Sequence, residues 1–416
     1  MERVAVWVSE YDIDYSPSIL NLLDCLARHS QVDLYLSRVW ARSSPVLSRP
    51  GIEVIVIREP ATPRRLVRSA RSALRRCLRA VVQARVADLR PANRRHLTAS
   101  AAAELARRRR YSIHVCLDPH GLLLCTGLLP QARPVYYSLE LYLEEDLLRS
   151  QHPEPVLRDL RAMIAQERQV ADRIVGLVIQ SEERASLLIA DRGLRPELPV
   201  LTLPVTYQGP AVAEKSTALH AALGLDPETT RIALHLGGMN DWFSSIEIAR
   251  EFASVAGWDL FFQGNHRREY LARFRRVMRE EKIGGVHVSR RFYDDLTDLE
   301  PILASCQVGI AWYNDISKNL ATAGRSSGKI AAYLRFGLPV LAKRYRSTAE
   351  AIEGPGCGVC VDEVREIPEA MCRLEREMEV MSRRCREEYE RHYWFRAYEQ
   401  QLLGFLSARS AEVTSP

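Results

Sequence analysis

Short apolar runs alternate with helix-like periodicity along this chain. Arg3-Val-Ala-Val-Trp-Val8 is a continuous apolar run, the pattern of a strand buried on both faces. A polar loop follows. Ile19, Leu22, Leu23, Leu26 and Ala27 then share one helical face, and Val32–Leu36 and Ile52–Ile57 read as two more strands. Strand, helix, strand in this order predicts a parallel α/β sheet. An Arg-rich stretch interrupts the alternation, which resumes at Ile113–Leu117 and Val135–Ser138. A helix is expected over Glu154–Ala171, then a strand over Ile174–Ile179 and a helix starting at Glu182 with Ser181 as its cap. After Leu198–Leu203 come Pro204, Gly209 and Pro210 in a turn-rich stretch without periodicity.

The alternation then begins again. Strands are expected at Arg231–Leu236, Asp259–Phe262, Val286–Val288, Val308–Trp312, Leu338–Leu341 and Gly358–Val361. Helices are expected over Ser244–Ala256, Glu269–Glu281, Ser327–Phe336 and Pro368–Glu390, with a closing helix to Leu406. The pattern predicts two Rossmann-like α/β domains, 1–205 and 230–387, joined by a linker over 206–229. A ligand belongs in the cleft between them, outside the carboxyl ends of the strands.

With 416 residues, 47% hydrophobic and 26% charged, the chain has a globular composition, neither disordered nor multi-span membrane. Its longest apolar runs, such as Gly121–Pro130, fall short of the roughly 20 residues that span a bilayer. An odd number of scattered cysteines and the lack of a signal-like leader lead us to expect a cytoplasmic protein with reduced thiols. The net charge of +6 is unevenly placed: residues 64–110 hold 15 Arg against one Asp and one Glu. Leu66, Ala70, Ala73, Leu74, Cys77, Leu78, Val81 and Val82 fall at helical spacing there, among Arg65, Arg68, Arg71, Arg75, Arg76 and Arg79. Such a basic amphipathic helix suits an anionic membrane surface, which would make the protein peripheral on the inner face of the membrane. It equally suits a solvated face in an Arg-rich chain. No aromatic residue interleaves the arginines before Tyr111, so nucleic acid is not expected.

Two loops suit anions. Gly237-Gly238-Met-Asn240 follows a strand and precedes a helix, where glycines let backbone N–H groups approach a phosphate; a plain turn would look the same. Arg325-Ser326-Ser327-Gly328-Lys329 sets hydroxyls, backbone donors and a lysine at a helix start, which serves as a diphosphate cradle or as an ordinary capped helix. Asp12, Asp14, Asp118, His120 and Glu140 follow strands of the first half and could take a proton, with Glu140 and His120 the best placed. Cys357, Cys360, Cys372 and Cys385 do not have the short-range convergence of a zinc site, and no metal is expected.

Ser327-Gly-Lys-Ile-Ala-Ala-Tyr-Leu-Arg-Phe-Gly-Leu-Pro-Val-Leu-Ala342, with Glu350-Ala-Ile-Glu353 and Gly356-Cys-Gly-Val-Cys-Val-Asp362, resembles the donor-binding region of GT-B glycosyltransferases, in particular the retaining family-4 type. Leu236-Gly237-Gly238 and Phe262-Gln263-Gly264 fit the same pattern. The resemblance implies two domains facing a central cleft, with the first binding the acceptor and the second a nucleotide-diphosphate sugar of UDP or GDP type. It also implies a C-terminal helix, 388–416, crossing back to the first domain. It implies transfer to a hydroxyl of a glycan, lipid carrier or small molecule without a metal, the diphosphate being neutralised by Lys329, Arg325 and the helix start at Ser327. Arg290, Phe292 and Tyr293 would form the base-binding loop, with Asn240 and Gly264 near the donor. The leaving phosphate can itself serve as base in such enzymes. Two glutamates that the family carries fall here at Gly324 and Ala332, and its Arg and Lys pair falls at Asn240 and Trp242. Lys318, Lys329 and Arg325 are the available substitutes for that charge. The departures leave open a catalytically silent module that binds a partner or glycan, or another GT-B enzyme such as a nucleotide-sugar epimerase.

Overall fold

The computed structural model describes residues 2–9, 13, 16–37, 45–58, 94–150, 152–289 and 297–414. Strands β1 (Arg3–Val8), β2 (Gln31–Leu36), β3 (Ile52–Arg58), β4 (Arg94–Thr98), β5 (Ile113–Leu117), β6 (Val135–Tyr137), β7 (Gly176–Ile179) and β8 (Val200–Thr202) form one sheet in the order β4-β3-β2-β1-β5-β6-β7-β8. Every pairing in it is parallel. The unbroken apolar run of β1 has a direct cause. Val4, Val6 and Val8 face one core layer with Leu22 and Leu26 of the helix Pro17–His29, while Ala5 and Trp7 face a second layer with Ala102, Leu122 and Cys125. A strand covered on both faces has no polar side.

Strands β9 (Arg231–Leu236), β10 (Trp258–Gln263), β11 (Val286–Val288), β12 (Val308–Ala311), β13 (Val340–Lys343) and β14 (Gly358–Val361) make a second parallel sheet, ordered β11-β10-β9-β12-β13-β14. The helix Gly328–Arg335 is pinned onto it by Tyr333, whose hydroxyl accepts from Leu236 N (2.8 Å) and shares its proton between Leu234 O (3.0 Å) and Ile310 O (3.1 Å). Gly309 makes room: a Cβ there would lie 2.3 Å from the Tyr333 ring.

The helix Ile367–His392 runs along the second sheet. The chain then turns at Tyr393–Phe395, where Tyr207 N donates to Tyr393 O (3.0 Å) and Phe395 N to Tyr207 O (3.1 Å). The last helix, Glu399–Thr414, sends Leu402 and Leu406 into the core of the first sheet, and Arg28 pairs with Glu399 at 2.8 Å. The expected crossing back is therefore present.

The sequence reading is corrected at the Arg-rich window. The alternation resumes before Ile113, because β4 and the helix Ala99–Arg108 already lie within the Arg-rich window. Arg95 of this edge strand pairs with Glu53 of β3 at 2.8 Å. Asp118 and His120, which follow the strand Ile113–Leu117 as expected, open the helix Asp118–Leu128. Residues 64–93, with Arg68, Arg75, Arg76 and Arg79, lie outside the described residues. Among the described residues no helix is long and apolar enough to cross a membrane.

Candidate active site

The loops after β9 and β10 and the start of the helix Gly328–Arg335 converge at one point. Gly237 has φ +109°, a conformation that favours glycine. A Cβ on it would lie 3.6 Å from Lys329 Nζ, and a Cβ on Gly264 would lie 2.1 Å from Gly237 O. On Gly238 it would lie 2.9 Å from Asn265 O. The glycines are thus what bring two strand-end loops against the lysine. Ser327 caps the helix, its Oγ accepting from Ile330 N (3.3 Å) and lying 2.5 Å from the Tyr313 hydroxyl.

Lys329 is the unusual group here. Its ammonium is out of solvent and has no hydrogen-bond acceptor among the described residues. It sits 4.5 Å from the centre of the Phe243 ring and 4.8 Å from that of Tyr313, contacts that offset part of the lost hydration. Burial draws its pKa down to about 7. His235, fully buried on β9, is held neutral by burial and by Lys329. A buried lysine at a helix N-terminus, beside glycine backbone and without a counter-charge among the described residues, is an arrangement that suits an anion.

The candidate donor residues divide. Gly237, Gly238, Gly264, Ser327, Gly328 and Lys329 gather at this point. Asn240 caps a turn, its Oδ1 accepting from Phe243 N (3.1 Å). The charge of Arg325 acts on Glu388, His392, Tyr393 and Tyr398, on the side of the C-terminal crossing. The backbone N–H of Lys318 donates to both carboxylate oxygens of Asp146 (2.9 and 3.0 Å). Arg290, Phe292 and Tyr293 lie outside the described residues, as do Asp12 and Asp14.

In the first domain, the loop 138–141 carries Glu140, whose Oε2 lies 2.6 Å from Asn319 Nδ2 of the second. The loop's backbone is held at nearly every polar atom. Ser138 N donates to Val178 O (3.0 Å), and Gln180 Nε2 to Ser138 O (2.7 Å). The N–H groups of Leu139 (2.6 Å) and Glu140 (3.1 Å) both donate to Asp118 Oδ1. Asp118 is itself buried with φ +54°, a strained value for a residue other than glycine. Burial and the nearby Glu140 push its carboxyl up to about 7, against the two N–H groups and Arg184. Asp118 Oδ1 thus shapes the loop 138–141. His120 is half-buried in the first turn of its helix.

Sequence reasoning missed Arg184 and Asn319. Arg184 lies in the first turn of the helix Glu182–Arg192 and is 1% exposed. It reaches Ser326 Oγ (3.0 Å), next to the Ser327 cap, and Asn319 Oδ1 (2.9 Å). Asn319 Nδ2 in turn donates to Glu140 Oε2 (2.6 Å). The one available signal was an arginine in a first helical turn, where a cation is disfavoured.

Neither of the two positions where the family carries glutamates bears a carboxylate here: they are Gly324 and Ala332. A Cβ on Gly324 would lie 2.0 Å from Ser347 O, so no side chain fits there. Ala332 lines a cavity of about 30 Å³ with Tyr207, Leu236, Glu300 and Phe336. Among the described residues no cluster of His, Cys, Asp and Glu could hold a metal.

Residues 294–390 match the family model for the glucosyltransferase 3-like C-terminal domain. No curated protein matches the chain. Among solved structures, Anabaena HepE in complex with UDP and glucose superposes with a TM-score of 0.67 at 13% identity, over 98% of this chain and 100% of that one. Sucrose-phosphate synthase from Thermosynechococcus elongatus gives 0.67 at 12% identity over 100% of both chains. An alpha,alpha-trehalose-phosphate synthase (UDP-forming) from Burkholderia vietnamiensis gives 0.62 at 11% identity, over 100% of this chain and 99% of that one. With two parallel sheets and the returning C-terminal helix, the chain is built on the GT-B glycosyltransferase fold, and its residues 294–390 are similar to the glucosyltransferase 3-like C-terminal domain.

Proposed function

We propose that this protein transfers a sugar, with retention, from a nucleotide-diphosphate donor to a hydroxyl acceptor. The observation that carries the reading is the buried Lys329 ammonium without an acceptor, at a capped helix start and facing Gly237. The diphosphate would seat there, neutralised by Lys329 and by the free N–H groups of the helix start rather than by a metal. The acceptor hydroxyl would approach from the first domain. As its oxygen bonds to the anomeric carbon on the same face that the diphosphate leaves, its proton passes to Glu140 and the nucleoside diphosphate departs. The solved relatives of like fold that bind UDP or UDP-glucose favour a UDP-type donor.

Calorimetry with UDP, GDP and ADP, followed by a donor screen monitored by nucleotide release, tests this. Micromolar to low-millimolar binding of one nucleotide, lost in Lys329→Ala, is expected. Unchanged binding in that variant would sink the diphosphate role. The closed space at Gly324 favours a second reading, a module that binds a nucleotide or glycan without turnover; nucleotide binding with no release from any donor would select it. The Arg-rich residues 64–93 support a further proposal, docking on an anionic bilayer that places a lipid-linked acceptor at the cleft. Vesicle binding insensitive to salt, and to Arg68, Arg75, Arg76 and Arg79 all changed to Gln, would remove it.

A further inference from the structure

We infer that Arg184 and Asn319 form a brace across the cleft that holds the two domains together and sets the position of the Glu140 carboxylate, which makes both of them positioning residues; the catalytic part of this inference rests on the transferase reading.

The guanidinium of Arg184 is shared between the domains. On its own side it donates to Leu139 O (2.9 Å). On the other side it donates to Asn319 O (3.3 Å), Asn319 Oδ1 (2.9 Å), Thr322 Oγ1 (3.3 Å) and Ser326 Oγ (3.0 Å). A planar fork can hold several acceptors in one fixed arrangement, which a lysine cannot copy. Its own helix gives this cation nothing, because it sits at the end where the dipole favours anions. Drawing the domains apart would strip a buried guanidinium of four acceptors at once, a costly separation.

Asn319 passes this constraint to Glu140. Its Oδ1 accepts from Arg184 and from Leu141 N (3.0 Å), so its Nδ2 is left facing Glu140 Oε2 at 2.6 Å. The short helix Lys318–Ala321 that carries it is gripped from the first domain at both ends of the turn, by Arg184 and by Asp146 under Lys318 N. Ser326, also held by Arg184, adjoins the Ser327 cap of the donor cradle. The acceptor carboxylate and the donor cradle are therefore tied through one arginine and one amide. Glu140 is aligned only while the domains stay together.

The test uses the full-length protein and the variants Arg184→Ala, Asn319→Ala and Asn319→Asp. UDP affinity is measured by calorimetry, the radius of gyration by small-angle X-ray scattering, and kcat and donor KM by nucleotide release. Asn319→Asp keeps an acceptor for Arg184 and Leu141 N but turns an acidic oxygen toward Glu140. It should stay as compact as wild type, bind UDP within about threefold of wild type, and lose about 30-fold or more in kcat with little change in donor KM. Arg184→Ala and Asn319→Ala should lose similar kcat and also expand. Wild-type radius and kcat in Arg184→Ala would overturn the inference. So would a kcat loss in Asn319→Asp matched by an equal loss of UDP affinity. Should Arg184→Ala not fold, the two Asn319 variants decide the question. Should wild type neither bind UDP nor turn over any donor, the transferase reading fails, and scattering alone decides the brace: an unchanged radius in Asn319→Ala refutes it.

Discussion

Donor affinity should fall as pH rises above neutrality, because the cation in the cradle is only half charged at pH 7. Burial lowers the pKa of Lys329 to about 7 in the free protein. A bound diphosphate favours the ammonium form, so its pKa in the complex lies higher. The free protein thus carries fewer protons than the complex between these two values, and binding takes one up. The sign follows: affinity is flat below the free-state pKa and falls above it. The penalty is about 1.4 kcal/mol, or tenfold, at pH 8, and about a hundredfold at pH 9, until the pKa of the complex is passed. His235 and His266 do not obscure this, since burial holds both below the ordinary histidine range. A UDP-sugar is the better probe, as its diphosphate is esterified at both ends and does not titrate there. Calorimetry in two buffers of different ionisation enthalpy should report uptake of about 0.5 proton at pH 7 and about 0.9 at pH 8. Lys329→Arg, charged throughout, should remove both the slope and the uptake. Affinity that stays level from pH 6 to 9 in the wild type, with no proton uptake, would refute the argument.

Lys329→Met should abolish donor binding yet stabilise the fold by about 1–3 kcal/mol, since it removes a buried charge that has no partner; a lower urea midpoint than wild type would contradict this. Gly264→Ala should cost at least tenfold in donor affinity, because its Cβ would collide with Gly237 O. Gly404→Ala, in open space inside the last helix, should instead stabilise by about 0.5–1 kcal/mol in thermal unfolding. Arg192→Met should cost about 3–5 kcal/mol in denaturant unfolding, because Glu167, 1% exposed and paired at 2.8 Å, is left as a lone buried acid. A loss below about 1 kcal/mol would show that Tyr136, which also donates to Glu167 (2.8 Å), suffices.

The parallel sheets were legible where strands are covered on both faces: β1, β9 and β14 begin and end at the residues their apolar runs suggest. Elements with other surroundings were not. β4, Arg-Arg-His-Leu-Thr, pairs on one side only, and an edge strand carries charge for reasons unrelated to a core. The helix Asp118–Leu128 is apolar on several faces, so it has no stripe to betray its period. Local signals located Gly237, Ser327 and Lys329, because glycine turns and helix starts are short-range chemistry. They could not find Arg184 or Asn319, whose meaning depends on a contact 135 residues apart. Asn240 shows a second limit: that its amide oxygen also caps its own turn is visible only in the structure.

Phe395, Leu402 and Leu406 complete the hydrophobic layer of the first sheet. During synthesis these residues leave the ribosome only after the whole second sheet has been made. At about 5–20 residues per second, the gap after β8 lasts roughly 10–40 s. Through that interval the first sheet lacks part of its cover, with the layer that holds Val175, Val178 and Leu201 open. The nascent chain should therefore be most dependent on chaperones in this window, and a ribosome stalled near residue 390 should display the first domain in its most protease-sensitive form.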